Sequence, residues 1–239
     1  MVHAFRSSFA TALALLVSVL MLAQVSELDL ANYVRWTQAP VAGLTNFHSV
    51  PLVAFRWDDT PCAGERPQTE GAFDAAVDFS PPLKTKATAH FKGFDEGCIR
   101  ASAAIFADGL EMGDSRDLQR IKDCRTASWA ELQETFLDDL SKVSVDDWSP
   151  QQSIERLVAR RIAFVKSTED SPPGKYELNQ CHVKMLDLLI LRIGSYQSSL
   201  EKDPEEYGPR RARFLQYMKD WKAALSSRIY SYPPTDWRK

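Results

Sequence analysis

Residues 99–114 read Ile-Arg-Ala-Ser-Ala-Ala-Ile-Phe-Ala-Asp-Gly-Leu-Glu-Met-Gly-Asp, and they mark the point where the character of the chain changes. Ile99–Ala107 first alternates between apolar and polar residues and then becomes wholly apolar, which is typical of a strand in a buried sheet. Asp108-Gly109 and Gly113-Asp114 supply turn signals, and Asp114 stands where the N-cap of a helix is expected. This stretch therefore predicts a β-rich half followed by a helical half.

Upstream of this junction, short apolar or alternating runs bounded by Pro, Gly, Asn or Asp predict further strands. These runs are Val41–Phe47, Val50–Trp57, Phe73–Phe79 and Thr85–Phe91. Together with Ile99–Ala107 they give five short strands over about 65 residues, which favours a small antiparallel sheet or sandwich. The Gly- and Pro-bearing segment Pro61–Gly71 predicts a long exposed loop.

Downstream, apolar residues recur at intervals of about 3.6, which predicts a long first helix from Asp114. Ser149, Pro150 and Gln152 have the spacing of a capping box and predict the start of a second helix. That helix ends at the breaker segment 171–174, Ser-Pro-Pro-Gly.

The run Tyr176–Leu200 is apolar on nearly every side around Met185–Leu191, so we expect a third helix at the centre of this half. Pro209 opens a fourth helix. The predicted fold class is α+β, with an antiparallel β-sandwich-like domain over residues 27–113 and a bundle of about four helices over residues 114–239.

The N-terminal segment resembles an export signal. Arg6 precedes the uncharged stretch 7–25, and the first acidic residues, Glu27 and Asp29, follow it. This order predicts that everything after residue 26 is translocated, to the periplasm or outside the cell. Three alternatives stay open for residues 1–26: a cleaved signal peptide, a retained membrane anchor, since the cleavage site after Ala23 is weak, or a buried core helix.

The charge balance argues against one class of partner. Lys and Arg number 29 and Asp and Glu number 32, which gives a net charge of −3 and an isoelectric point near 5.9. No global positive field exists to hold a nucleic acid, so we predict no nucleic-acid partner. Contact with a membrane is expected only through residues 7–25, if these are not cleaved.

Two stretches resemble a group of uncharacterised exported bacterial proteins. In that group a strand ends in Phe-Ala-Asp-Gly, here Phe106–Gly109, and Gly-Asp begins a helix, here Gly113-Asp114. The stretch Leu44–Ala54 is similar to the first hairpin of the same proteins. The resemblance covers about residues 41–125 and implies export, a bacterial setting and the β-then-α order. It implies no activity.

The four cysteines Cys62, Cys98, Cys124 and Cys181 lack the spacing of a zinc site. An even number of cysteines in an exported chain predicts disulfides, and four allow three pairings. We favour Cys62–Cys98 and Cys124–Cys181, because each pair then lies inside one half; free buried thiols remain the alternative. His182 follows Cys181 directly, but adjacent helical residues do not face each other, which makes a catalytic thiol–imidazole pair unfavourable.

Signatures of catalysis and of metal binding are absent from the sequence. His48, His90 and His182 are dispersed, with none three or four residues from another, so we predict no metal site and no cofactor. The chain also lacks G-x-S-x-G, H-E-x-x-H, Walker and G-x-G-x-x-G motifs. Catalysis by a pair of carboxylates leaves no such motif, so an enzyme is not excluded.

Trp57, Asp58 and Asp59 are the residues we predict to mark a binding surface, because aromatic anchors dominate interfaces. The predicted function is an exported, non-catalytic binding or structural protein, with an unknown protein or small molecule as partner outside the cytoplasm. The alternative is a small secreted hydrolase that uses carboxylates with His90 or His182. An enzyme should gather such residues in one concave pocket, whereas a binding module should expose an apolar or aromatic patch.

Overall fold

The computed structural model describes residues 30–37, 43–58, 70–78, 80–90, 99–138, 140, 148–168, 171–202 and 207–226. The chain divides into two compact units. The first comprises residues up to Phe73 together with Pro82–Gln119, and the second comprises Asp74–Pro81 together with the chain from Arg120 onward. The domain boundaries after residues 26 and 113 stay predictions.

The described residues of the first unit form two sheets. One has three strands in the order β1-β2-β5, and the other has four in the order β4-β3-β6-β7. The strands are β1 (Val34–Thr37), β2 (Gly43–Asn46), β3 (Leu52–Asp58), β4 (Glu70–Asp74), β5 (Thr88–His90), β6 (Arg100–Phe106) and β7 (Glu111–Gly113). The pairs β1–β2, β2–β5, β3–β6 and β6–β7 are antiparallel.

Strands β3 and β6 occupy the middle of the four-stranded sheet, and consecutive residues of both strands, which point to opposite faces, are buried. Ala103–Phe106 of β6 is fully enclosed, and so are the first four residues of β3. This explains why both strands are almost continuously apolar in sequence rather than alternating. Phe55 and Phe106 of this sheet and Leu44 of the smaller sheet belong to one apolar cluster, which forms the core of the unit.

Four helices follow the strands over the described residues, as predicted, and the α+β class with a helical bundle is confirmed. They are α1 (Ser115–Leu132), α2 (Pro150–Thr168), α3 (Pro173–Lys202) and α4 (Tyr207–Ser226). A π-helical turn, Gln133–Leu137, directly follows α1. In the described part of the chain, no helix is long and apolar enough to cross a membrane. The stretch 7–25 lies outside that part.

Two helix starts follow the capping signals of the sequence. Asp114 Oδ1 accepts hydrogen bonds from the backbone N–H groups of Arg116 and Asp117, at 2.8 and 3.1 Å. Ser149 Oγ accepts one from the N–H of Gln152 at 3.3 Å. Each cap satisfies donors that the first turn of a helix leaves without an intrahelical acceptor.

Helix α3 lies at the centre of the second unit, as its apolar sequence predicts. Its residues Met185, Leu186, Leu189, Ile193 and Tyr196 are all fully enclosed. Tyr196 stacks on Phe214 of α4 with ring centroids 4.5 Å apart, and Trp148 lies 5.6 Å from Tyr196. These rings and aliphatic side chains form the core of the bundle.

The segment Asp74–Pro81 belongs to the helical unit although it lies between two strands in sequence. Asp74 Oδ1 accepts from the N–H groups of Ala76 and Val77, which closes a turn, and the Asp74 carboxylate binds Arg125 of α1 through two hydrogen bonds. Ala76 and Val77 enter the helical core, and the Ala76 carbonyl accepts from Trp221 Nε1 at 2.6 Å. The strand predicted over Phe73–Phe79 is therefore wrong beyond Asp74, because Asp74 caps a turn there.

One other strand prediction and one loop prediction need correction. Thr85–Phe91 was expected to be one strand, but the chain turns at Lys86, whose φ is +60°, and pairing begins only at Thr88. Strand β4 begins at Glu70, so the last two residues of the predicted loop Pro61–Gly71 belong to a strand. The remainder of that loop lies outside the described residues.

Candidate functional site

A cavity of about 880 Å³ opens in the first unit. One side is formed by the helical turn 30–33 and strand β1, and the other by residues 99–102 at the start of β6. We name it the Trp36 cavity. Its apolar wall includes Leu30, Val34 and Ile99, beside the Trp36 ring. Small-molecule sites typically enclose about 300–1,000 Å³, with a mainly apolar lining and a few polar groups that orient the ligand. The Trp36 cavity fits this description.

Two arginines line the Trp36 cavity. Arg35 is exposed, and its Nε donates to the Ala31 carbonyl at 2.8 Å while the guanidinium lies 5.5 Å from the centre of the Phe47 ring. Arg100 donates from Nε to Asp58 Oδ1 at 3.4 Å, and its side chain is 46% exposed. Each guanidinium therefore has an anchor on the protein and a surface open to solvent. Guanidinium groups bind carboxylates and phosphates through paired donors.

Ser102 adds an enclosed hydroxyl to the lining of the Trp36 cavity. Its Oγ has no hydrogen-bond partner among the described residues, and the residue is 8% exposed. Among the described lining residues there is no carboxylate and no imidazole. The cavity can therefore hold an anionic, partly apolar molecule, but these residues offer no general base.

A cluster of charged residues lies in the second unit, where Glu131 of α1 meets two other helices. Arg160 of α2 donates to the Glu131 carboxylate from Nε and Nη2, at 2.7 and 2.9 Å. His182 of α3 shares a 2.7 Å hydrogen bond between Nδ1 and Glu131 Oε1. Phe164 completes the cluster, since its ring stacks on His182 at 4.6 Å and lies under the Arg160 guanidinium at 5.4 Å. We call these four residues the Glu131 cluster.

The Glu131 side chain is fully enclosed, whereas that of His182 is 18% exposed. Burial raises the pKa of Glu131, but the hydrogen bonds from His182 and Arg160 outweigh burial and hold this pKa below its usual value. The same contact with Glu131 raises the pKa of Arg160. Glu131 is therefore a carboxylate at neutral pH, and it orients the imidazole as the acid of a catalytic triad does.

Cys124 and Cys181 form a disulfide between α1 and α3, with the Cα atoms 5.3 Å apart. This confirms one of the two predicted pairings. Cys62 and Cys98 lie outside the described residues, so their pairing stays a prediction. Cys124 and Glu131 both lie on α1, and Cys181 and His182 both lie on α3. The disulfide and the Glu131 cluster therefore connect the same two helices.

The structure places two of the three predicted binding residues, Trp57 and Asp58, in the interior of the first unit. Trp57 is 7% exposed and belongs to the apolar core, and Asp58 is also buried, where it pairs with Arg100. Asp59 lies outside the described residues. Their role in binding stays a prediction, but Asp58 contributes indirectly to the Trp36 cavity because it holds Arg100.

His48 and His90 occupy separate places in the first unit. His48 Nδ1 accepts from the Val50 N–H at 3.0 Å, and its ring lies 4.5 Å from that of Phe106. His90 ends strand β5 and is exposed. Over the described residues, no group of three His, Cys, Asp or Glu side chains is arranged to hold a metal ion.

Sequence reasoning missed Arg35, Trp36 and Glu131 as site residues. Strand β1 lies before the first predicted strand, so its residues were not assigned to the sheet. Glu131 is an ordinary charged residue of a long helix in sequence, and its partner His182 is 51 residues away. No local signal distinguishes it.

Comparisons with known proteins give no relative for this chain: no family model, no curated protein and no solved structure matches it.

Proposed function

We propose that this protein is an exported, non-catalytic binding protein of the bacterial envelope or exterior, and that the Trp36 cavity binds a small aromatic anion. The observation that carries the proposal is the composition of the lining. It combines an indole ring and an aliphatic wall with two guanidinium groups, and the described lining residues include no carboxylate. The basic start and uncharged stretch of residues 1–26 support export.

The chemistry of the cavity favours this ligand class over a neutral or cationic one. An aromatic ring gains contact area against Trp36 and the aliphatic wall, and a carboxylate or sulfonate gains charge-assisted hydrogen bonds from Arg35 or Arg100. A cation would meet two like charges, with no carboxylate among the described lining residues to compensate them. We expect the arginines to determine the sign of the ligand's charge and Trp36 to determine its aromatic character.

The test uses the full mature chain with 8-anilinonaphthalene-1-sulfonate, an aromatic sulfonate, and calorimetry measures its affinity. The variants are Arg35→Gln, Arg100→Gln and Trp36→Leu, and the matched control is Arg116→Gln, an exposed arginine of the same unit outside the cavity. We expect a loss of about tenfold in affinity for each cavity variant, which corresponds to about 1.4 kcal/mol, and no change for the control.

Equal affinities in all four variants and the original protein would rule out the Trp36 cavity as the site. Arg100→Gln also removes the contact between Arg100 and Asp58, so the folded state of this variant must be checked by circular dichroism. Arg35 is exposed, and Arg35→Gln therefore tests the cavity without disturbing the core.

A second candidate function is the secreted hydrolase, which the contact between Glu131 and His182 favours. A carboxylate that bonds one ring nitrogen fixes the tautomer of a histidine and prepares the other nitrogen to accept a proton. Against it, neither the Trp36 cavity nor the leucine-lined cleft of the second unit includes Glu131 or His182 among its described lining residues. If the protein hydrolyses p-nitrophenyl acetate and His182→Gln abolishes this activity, the hydrolase is favoured over the binding protein.

A further inference from the structure

A second cavity lies in the helical unit, between the π-helical turn after α1 and the last helix, α4. It measures about 650 Å³. We call it the Leu215 cleft and define it by Leu137, Leu140, Leu215, Lys219 and Lys222. It is distinct from the Trp36 cavity, which is lined by residues of the first unit.

One side of the Leu215 cleft is apolar. Leu137 lies in the π-helical turn and Leu140 shortly after it, and both pack against the helical core while remaining partly exposed. Leu215 faces them from α4. A π-helical turn is rare and frequently found at functional sites, because the extra residue per turn widens the helix locally. Here that turn supplies one wall of the cleft.

The other side of the Leu215 cleft is positive. Lys219 and Lys222 are three residues apart on α4 and so lie on the same face. The Lys222 ammonium lies 5.2 Å from the centre of the Trp129 ring, which fixes its position. The described lining residues include no Asp or Glu. The cleft therefore presents two cations beside a leucine surface.

We infer that the Leu215 cleft binds a single-chain anionic amphiphile of the fatty-acid type. The leucines would cover the hydrocarbon chain, and the two lysines would contact the carboxylate. The volume suits one small molecule, since it falls within about 300–1,000 Å³. A protein partner would need about 800 Å² of surface on each side. Charge complementarity selects the anionic head group.

The experiment titrates the full chain with laurate below its micelle concentration and follows the displacement of the fluorescent fatty acid cis-parinarate. The double variant Lys219→Gln/Lys222→Gln removes the charges, and Lys166→Gln, an exposed lysine on α2, is the matched control. Dodecyltrimethylammonium has the same chain length with a cationic head. We expect at least a tenfold weaker affinity for laurate in the double variant, no more than a twofold change in the control, and at least tenfold weaker binding of the cationic amphiphile.

Laurate affinity that is unchanged in the double variant would overturn the proposal, and so would equal affinity for the cationic amphiphile. The proposal would also fail if the protein bound no laurate and sedimented as a dimer, and if the double variant were monomeric. That result would assign the cleft to a second copy of the chain. Arg35→Gln serves as a further control, because it should weaken binding of the aromatic sulfonate without changing laurate affinity. The two cavities can therefore be tested separately.

Discussion

Glu131 and His182 lie 51 residues apart in sequence and on two different helices, yet Oε1 of the carboxylate is 2.7 Å from Nδ1 of the imidazole. Arg160, from a third helix, binds the same carboxylate through two hydrogen bonds. One enclosed carboxylate therefore connects α1, α2 and α3. An enclosed charge is tolerated only when its partners satisfy it, so each partner is important for stability.

The substitution Glu131→Gln is expected to lower the free energy of unfolding by about 2–3 kcal/mol, because it removes the charge that Arg160 and His182 bond. Urea unfolding followed by circular dichroism measures this change. Glu134→Gln is the control, since that carboxylate is 61% exposed and 3.7 Å from Arg160. We expect the control to change stability by less than about 0.5 kcal/mol. Equal losses for the two variants would contradict a special role for Glu131.

The contribution of Glu131 should depend on pH in a defined direction. Its pKa in the folded protein lies below its usual value because His182 and Arg160 stabilise the carboxylate against the opposing effect of burial. A carboxyl group of this kind contributes stability that is fully present above its unfolded pKa of about 4.3, and this stability is lost as pH falls through the folded pKa. Unfolding free energies of the original protein and Glu131→Gln should therefore differ most above about pH 5 and converge in acid. A difference that grows on acidification would refute the assignment.

Removal of the disulfide should destabilise the helical unit. Cys124 and Cys181 enclose a loop of 57 residues, and release of this constraint in the unfolded chain costs about 3–4 kcal/mol. The double variant Cys124→Ser/Cys181→Ser should unfold at correspondingly lower urea concentration. Peptide mapping of the oxidised protein should recover the two cysteines in one cross-linked species, and alkylation of either residue without reduction would show that the bond is absent.

Gly113 should not tolerate a side chain. Its φ is +104°, a conformation that other residues rarely adopt, and a Cβ atom would collide with the backbone oxygen of Ser102. We expect Gly113→Ala to lower stability by about 2 kcal/mol or more. In Gly208→Ala, by contrast, the new Cβ meets no atom within 4 Å, so we expect a neutral or slightly stabilising effect. Thermal unfolding of both variants tests these expectations. Equal Tm values would contradict the conclusion that residue 113 cannot accept a side chain.

The sequence predicts the helical half well because its helices begin at local signals. Asp114 and Ser149 both bond backbone N–H groups of the first turn, as their positions imply. Pro172 directly precedes α3 and Pro173 is its first residue, so the predicted breaker segment coincides with the start of that helix. These interactions involve residues close in sequence, so a linear pattern contains them.

The sheets and the candidate sites are harder to predict because they depend on distant partners. Strands β1 and β7 are short and weakly patterned in sequence. They form because β1 pairs with β2 and β7 pairs with β6. An aromatic residue beside two acids suggests a surface anchor in sequence, but Trp57 packs in the apolar core of the first unit and is buried. The Trp36 cavity combines residues 30–36 with residues 99–102, which no spacing rule indicates.

The turn after Asp74 has a consequence for the order of folding. The Ala76 carbonyl and the Trp221 indole bond across 145 residues of chain, so the core around Ala76 cannot close until the last helix has been synthesised. Contacts of such long range slow folding, because the intervening chain must be ordered before they form. The early segment Asp74–Pro81 therefore becomes packed in the helical unit only after α4 has been synthesised.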